Sequence, residues 1–450
     1  MILVSRRTRC WLLLTGTLLF LGTGYSAVYR AGLGPRERSD FTVYWHAGQA
    51  VLQGSDIYEA QNSRGWKYMY LPVFAATISP LSLLPKPVAA GVWYLLNVAA
   101  LLHLAWIAVR LASGTSPRDY RLTLFVVILI LSAWPWLSAL TRGQVSVLLA
   151  WCATIAIDFW IRQSAAVFRS TGAGLALAGA IVLKVFPILV LAWLMLMRRW
   201  REVVITFVAL LLLTFAAPAL VFGWNANLKL LYQWARTVLV PLSDVSAEEN
   251  ARYAQMADPR IDKNQSVRAV VVRIIAPDEE HGEADRAERT ARAVALVINA
   301  GLLVLSVVAL RRGVHRQRDR PAGPGREAQI SSAGVVLLLC LFLAPVSWTH
   351  NYVLAMLPLA TAVSRGWCSG NVTFQPAYRI AVGIWLAGML GGLTHPIYHV
   401  GGHLMAAMAI WVVLVRDLLQ SGAPPETRDP LLIHARDTTP STPLMQAGAE

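Results

Sequence analysis

Eight stretches of this chain are almost unbroken apolar runs: residues 11–28, 88–110, 121–139, 145–161, 202–223, 292–310, 377–394 and 403–419. A helix needs about 20 apolar residues to cross the hydrocarbon core of a bilayer. A soluble domain has no interior large enough to hide so many. The composition agrees, with 450 residues, 56% of them hydrophobic and only 14% charged, and a mean hydropathy of +0.51. Soluble domains are about 25% charged. The fold class is therefore all-α, a polytopic integral membrane protein. Residues 1–419 form one membrane domain, and the Pro-, Thr- and charge-rich stretch 420–450 is expected to be a disordered tail.

The net charge of +15 sits in short segments between the apolar runs. There it sets topology, since Lys and Arg mark the cytoplasmic side. Nucleic acid is accordingly not an expected partner. Arg6, Arg7 and Arg9 precede the run 11–28, which resembles a secretory signal but is long for one, so it is expected to remain as the first helix. The basic clusters at 110–121, at Arg162 and Arg169, at Arg198, Arg199 and Arg201, and at 311–320 fall on one side only under two conditions. The first concerns the run 172–197, whose 26 residues would make a straight helix of about 39 Å against a core of ~30 Å. It carries Lys184 and Pro187 near its middle, and is expected to be two half-length helices folded back at Lys184-Val185-Phe186-Pro187. The second is that 70–85, interrupted by Pro72 and Pro80, is re-entrant rather than spanning. Two shorter runs, 331–346 and 351–364, flank Ser347-Trp348-Thr349-His350-Asn351. The result is about twelve membrane segments with both termini cytoplasmic and two external loops, 30–87 and 224–291; the second loop is the more acidic of the two, with 11 of the chain's 25 Asp and Glu residues.

Cys10, Cys152, Cys340 and Cys368 have neither disulfide nor metal-site spacing. Asn264-Gln265-Ser266 and Asn371-Val372-Thr373 match a glycosylation sequon, a match taken as accidental. No P-loop, no Gly-rich dinucleotide fingerprint and no external Asp-x-Asp pair is present, so no cofactor and no metal is expected. Trp45, Trp66 and Trp93 are expected as interface anchors.

The first external loop carries the most chemistry. Phe41, Tyr44, Trp45, Ala47 and Val51 recur at helical spacing, which predicts an amphipathic surface helix over 41–53, ended by Gly54. Asp40 precedes its first turn. An aspartate there is either a helix cap or, at the mouth of a membrane cavity, a general base. Further along come Tyr68-Met69-Tyr70-Leu71-Pro72, Gly143-Gln144, Lys184-Val185-Phe186-Pro187, Asn264-Gln265-Ser266 and Pro345-Val346-Ser347-Trp348-Thr349-His350. In this order, over roughly residues 35–360, the set resembles the polyprenol-phosphate-mannose-dependent mannosyltransferases, which belong to the GT-C class of membrane glycosyltransferases. The chain departs from that pattern at Leu71-Pro72, where two prolines are common, and at His350-Asn351, where His-His is common.

The resemblance implies a GT-C-type bundle in the plasma membrane that moves a hexose, most simply mannose, from a polyprenyl-phosphate donor to a lipid or glycan acceptor on the external face. It implies Asp40 as the inverting general base. Lys184, Arg268 or His350 would neutralise the leaving phosphate, and Gln144, Gln265, Tyr44 and Tyr70 would bind substrate. Each has a plainer role open to it: Lys184 can snorkel, His350 and Gln144 can serve only their turns. A transporter or flippase of lipid-linked sugar precursors, or an enzyme using arabinofuranose or glucose, are the alternative readings.

Overall fold

The computed structural model describes residues 6–162, 167–239, 258–277, 283–318, 325–368, 375–392 and 394–420. The tail beyond Gln420, the sequon at Asn371 and Asp278, Glu279 and Glu280 lie outside the described residues. Among these residues the regular structure is helical, apart from isolated bridges between Gln61 and Lys67 and between Asn264 and Trp348.

The first half of the chain runs through α1 (Arg6–Val28), α2 (Asp40–Gln53), α3 (Pro72–Ser82), α4 (Lys86–Ser113), α5 (Arg118–Leu131), α6 (Ala133–Arg142), α7 (Ser146–Ile161), α8 (Val167–Leu183), α9 (Ile188–Leu196), α10 (Trp200–Leu211), α11 (Ala217–Phe222) and α12 (Trp224–Trp234). The second half follows with α13 (Val267–Ile275), α14 (Glu283–Arg318), α15 (Arg326–Phe342), a 3₁₀ segment Thr349–Ala355, α16 (Met356–Cys368), α17 (Gln375–Gly391), α18 (His395–His399) and α19 (Gly402–Gln420).

Four helical stretches are long and apolar enough to cross a membrane: Lys86–Ser113, Trp200–Phe222, Arg286–Gly313 and Gly402–Gln420. A fifth counts if α5 and α6 are one span bent by 65°. The chain is thus an all-α, multi-pass membrane protein with additional short helices, and four to five spans stand clear where about twelve segments were expected. The run 121–139, read from sequence as one helix, is the bent pair. Pro135 has no N–H to give the carbonyl of Leu131, so the ladder breaks there. That carbonyl accepts the indole N–H of Trp385 instead, at 2.8 Å.

Two ends of the bundle differ in character. At one end Asp158 receives Arg110 at 2.8 Å and Arg162 at 3.0 Å, Arg326 reaches the carbonyl of Arg110, and Arg365 pairs with Asp417. The other end carries α2, α3, α12, α13 and α18.

The run 172–197 breaks at Lys184–Pro187, as expected, and it does fold back. Ser170 donates to Glu202 at 3.2 Å, and a Cβ added to Gly174 would lie 2.5 Å from the Ile205 side chain. The starts of α8 and α10 are therefore side by side and the two helices run parallel. The return leg is α9, whose Trp193 packs 4.5 Å from Trp160, with Arg199 over the same Trp160 ring. The chain enters and leaves at the basic end and turns at Lys184 at the other. The segment 70–85 is also interrupted: α3 has 11 residues, about 16 Å, too short to span.

Candidate active site

Construction of the site begins at the start of α2. Ser39 takes the extended N-cap geometry, but its hydroxyl donates to the carbonyl of Arg142 at 3.1 Å rather than capping. Asp40 is the first helical residue, and its carboxylate accepts a hydrogen bond from the Gln144 side-chain amide. Ser39 rather than Asp40 holds the N-cap position of α2. Gly143 makes this approach possible. Its φ of +65° suits glycine, and a Cβ there would fall 2.7 Å from the Ser39 hydroxyl and 2.8 Å from Phe41 Cβ. Trp93 donates to the carbonyl of Gly143 at 3.0 Å and stacks on Phe41 with centroids 5.7 Å apart. Trp93 is buried, so it is a packing residue of the site and not the interface anchor expected. At its far end α2 stops at Gly54, whose left-handed backbone (φ +67°) closes on the carbonyls of Ala50 and Val51.

The fold-back delivers the cation. Lys184 Nζ donates to Asn351 Oδ1 at 2.9 Å and approaches the Ser146 hydroxyl at 3.4 Å. Ser146 donates to the same Asn351 oxygen at 2.9 Å. The Asp40 carboxylate lies within electrostatic range of Lys184. His350 is buried, its ring 5.8 Å from that of Trp348, and within electrostatic range of both Lys184 and Arg142. Asp40, Gln144, Lys184 and His350 thus gather from four separate parts of the chain.

The other expected site residues sit apart. Tyr44 is buried one turn after Asp40, and its hydroxyl is 3.0 Å from that of Tyr70. Its ring packs edge-on against Tyr70, Phe74 and Trp93. Gln265 is fully buried, donating to the carbonyls of Asp262 (2.6 Å) and Tyr398 (2.8 Å) and accepting from the His403 amide (3.3 Å). Its side chain is used inside a seam where Asn264 also bridges to Ser347 and Pro345. Asn264 is fully buried there, which suits the view of its sequon as accidental. Arg268 lies half-buried on α13, in the same segment.

Sequence reasoning missed several participants. Ser146 and Arg142 give no signal beyond being polar at the ends of apolar runs, and Asn351 stood out only as a departure from His-His, not as a site residue. A second missed group is a clasp behind α2. Glu37 accepts from Lys86, from His46 at 3.1 Å and from the Ser63 amide at 2.7 Å, while Lys86 lies over the Trp45 ring. Burial raises the pKa of Glu37, but these hydrogen bonds outweigh it and hold the carboxyl below its ordinary range. Also unforeseen is the convergence of Asp262, His395 and His399, whose ligating atoms all lie within 4.8 Å of one another. A cavity of about 460 Å³ opens beside Trp45, His46, Gln49 and Asp56, and none of the expected site residues lines it.

The family profile described as Glycosyltransferase family 87 matches residues 68–325, more than half of the chain. A curated relative from Mycobacterium tuberculosis (strain CDC 1551 / Oshkosh), the polyprenol-phosphate-mannose-dependent alpha-(1-2)-phosphatidylinositol pentamannoside mannosyltransferase, is 25% identical over 329 residues. The alignment covers 72% of this chain and 64% of that relative. Among solved structures, ArnT from Cupriavidus metallidurans bound to undecaprenyl phosphate aligns at 13% identity, covering 91% of this chain and 76% of that one, with a TM-score of 0.39. Its apo form aligns at 13% identity over 92% and 77%, with a TM-score of 0.41.

Proposed function

The chain belongs to glycosyltransferase family 87, and from there we propose that it transfers a hexose, mannose first, from a polyprenyl-phosphate donor to a lipid or glycan acceptor, with inversion and with Asp40 as general base. The observation that carries this reading is a carboxylate and a lysine brought within electrostatic range of each other at one end of the bundle, Asp40 on α2 and Lys184 at the tip of the fold-back. Inverting transfer calls for these two kinds of group. A base takes the proton of the attacking acceptor hydroxyl, and a cation steadies the departing phosphate, which is already anionic and needs no proton. Gln144 aims the Asp40 carboxylate. Asn351 and Ser146 hold Lys184, and His350 is the nearest further group for the phosphate. Gln265 and Arg268 of the α13 segment, and Tyr44 with its hydroxyl partner Tyr70, would contact substrate at the edges of this group.

The membrane arrangement belongs to the same reading. A GT-C-type membrane domain over 1–419 has its basic end and both termini in the cytoplasm of a cell whose plasma membrane it spans, with 30–87 and 224–291 outside and 420–450 as a tail. A polyprenyl chain cannot leave the bilayer, so a site at the outer end of the bundle meets the donor where its phosphate emerges. Mannose is favoured by the name of the mycobacterial relative, which specifies a polyprenol-phosphate-mannose donor.

The test is Asp40→Asn in membranes at matched protein level, supplied with radiolabelled polyprenyl-phosphate-mannose. Transfer is expected to fall about 10²–10⁴-fold. Undiminished transfer removes Asp40 from the base role. Consumption of a different polyprenyl-phosphate sugar by the wild-type protein, with mannose refused, moves the donor assignment and leaves the base assignment in place.

A further inference from the structure

We propose that Asp262, His395 and His399 bind one divalent transition-metal ion of the zinc class. His395 and His399 are four residues apart on α18, so both rings leave the same face, with centroids 5.7 Å apart and planes only 21° from parallel. They converge on one carboxylate. His399 Nδ1 is 2.7 Å from Asp262 Oδ1, and His395 Nε2 is 3.0 Å from Asp262 Oδ2. With zinc bonds of about 2.0–2.2 Å, ligand atoms in a tetrahedral set stand ~3.4 Å apart. The three atoms here, all within 4.8 Å of one another, reach that spacing by small ring rotations.

The surrounding scaffold is already built. Arg273, almost fully buried, donates to the carbonyl of His399 at 2.8 Å and to those of Pro259, Ile261 and Asn264 at 2.8–3.1 Å. Both segments that carry the three residues are thereby fixed to one guanidinium, and Gln265 pins the Asp262 carbonyl as well. The fold therefore does not need the carboxylate–imidazole contacts to hold α18 in place, which leaves those groups available to a ligand. Two nitrogens and one oxygen favour zinc-like cations over calcium or magnesium, which take oxygen. The His395 side chain is 78% exposed, so the ion is reached from solvent and its fourth position stays open to water. Tyr398 stands between the two histidines and its hydroxyl lies 2.8 Å from that of Thr349, the neighbour of His350, so an ion on α18 also steadies the turn behind the site.

The experiment uses full-length protein purified in detergent with a histidine-free tag, stripped with chelator and reconstituted with Zn²⁺ or Co²⁺, with Mg²⁺ as control. We expect about one Zn²⁺ per chain by elemental analysis and visible d–d bands in the Co²⁺ form. Thermal unfolding should rise with Zn²⁺ and not with Mg²⁺. His395→Ala, at an exposed position that tolerates change, and Asp262→Asn should lose the stoichiometric metal and the bands. Absence of stoichiometric metal in the wild-type protein, or equal retention in the two variants, overturns the proposal. Metal content is read without donor or acceptor, so this outcome is independent of the transfer reaction.

Discussion

Asn351 uses a single oxygen to accept from both Lys184 and Ser146. A neutral histidine, common at this position in the resembling sequences, has one accepting nitrogen and cannot do both. Asn351→Ala leaves a buried hydroxyl and an ammonium short of a partner. It should lower unfolding stability by about 1–3 kcal/mol, read as a thermal shift in detergent, and reduce transfer by more than the loss of folded protein explains. Asn351→Asp should instead keep Lys184 held while neutralising its pull on phosphate, so transfer falls and stability holds. Wild-type transfer in both variants would detach Asn351 from the site. At this scale the sequence was informative about kinds of residue and silent about partners. Asp40 stood out as a carboxylate before an amphipathic helix. Its partner Gln144 is 104 residues away, and only the close packing allowed by Gly143 joins them. The i, i+4 spacing of His395 and His399 drew no expectation from the sequence, since two histidines four apart are not a site without a third ligand. Asp262, which would be that ligand, lies 137 residues before His399.

Helices were legible where a break carries its own chemistry. Lys184 and Pro187 in an over-long run announced the fold-back between α8 and α9, and Pro72 and Pro80 announced a short α3. The bend between α5 and α6 was missed because Pro135 lies in an otherwise continuous apolar run, and the Leu131 carbonyl it frees is satisfied by Trp385, 254 residues later. The Glu37 clasp ties the loop before α2, α2 itself and the start of α4. Its pH dependence follows from the depressed pKa. Below the ordinary carboxylate range, about 4.3 for Glu, the unfolded chain binds a proton that the folded clasp resists. The stabilisation is therefore present above that range and is lost as the pH falls through the lower, folded value. Glu37→Gln should unfold at a lower temperature than wild type at pH 7, and the gap should close as the buffer is acidified towards pH 3. A gap that widens in acid would show the clasp acting by other means.

The whole molecule has a cation-rich end knotted by Asp158 and Asp417 and an opposite end where the candidate site sits. If the basic end is cytoplasmic, reporter fusions will say so. Green fluorescent protein joined after Gln420 should fluoresce, and alkaline phosphatase inserted after Gly65, an exposed turn with φ +71°, should be active. The reverse pattern would invert the topology and move the site away from a donor in the outer leaflet. The apolar runs made a membrane protein plain from composition alone. They could not say how many runs are full spans, because α7 and α8 are apolar yet shorter than a bilayer needs.

The fold-back also has a consequence for synthesis. A chain leaves the ribosome N-terminus first, and Lys184 emerges 167 residues ahead of Asn351. Until the second half arrives, its ammonium lacks that acceptor and has only the Ser146 hydroxyl and the Asp40 carboxylate of the first half within reach. The lysine is fully seated only when the 3₁₀ segment carrying His350 and Asn351 packs beside it. The candidate site is thus completed late in synthesis: a nascent chain stalled before residue 351 carries Asp40 and Lys184 but not the Asn351 acceptor that holds the ammonium.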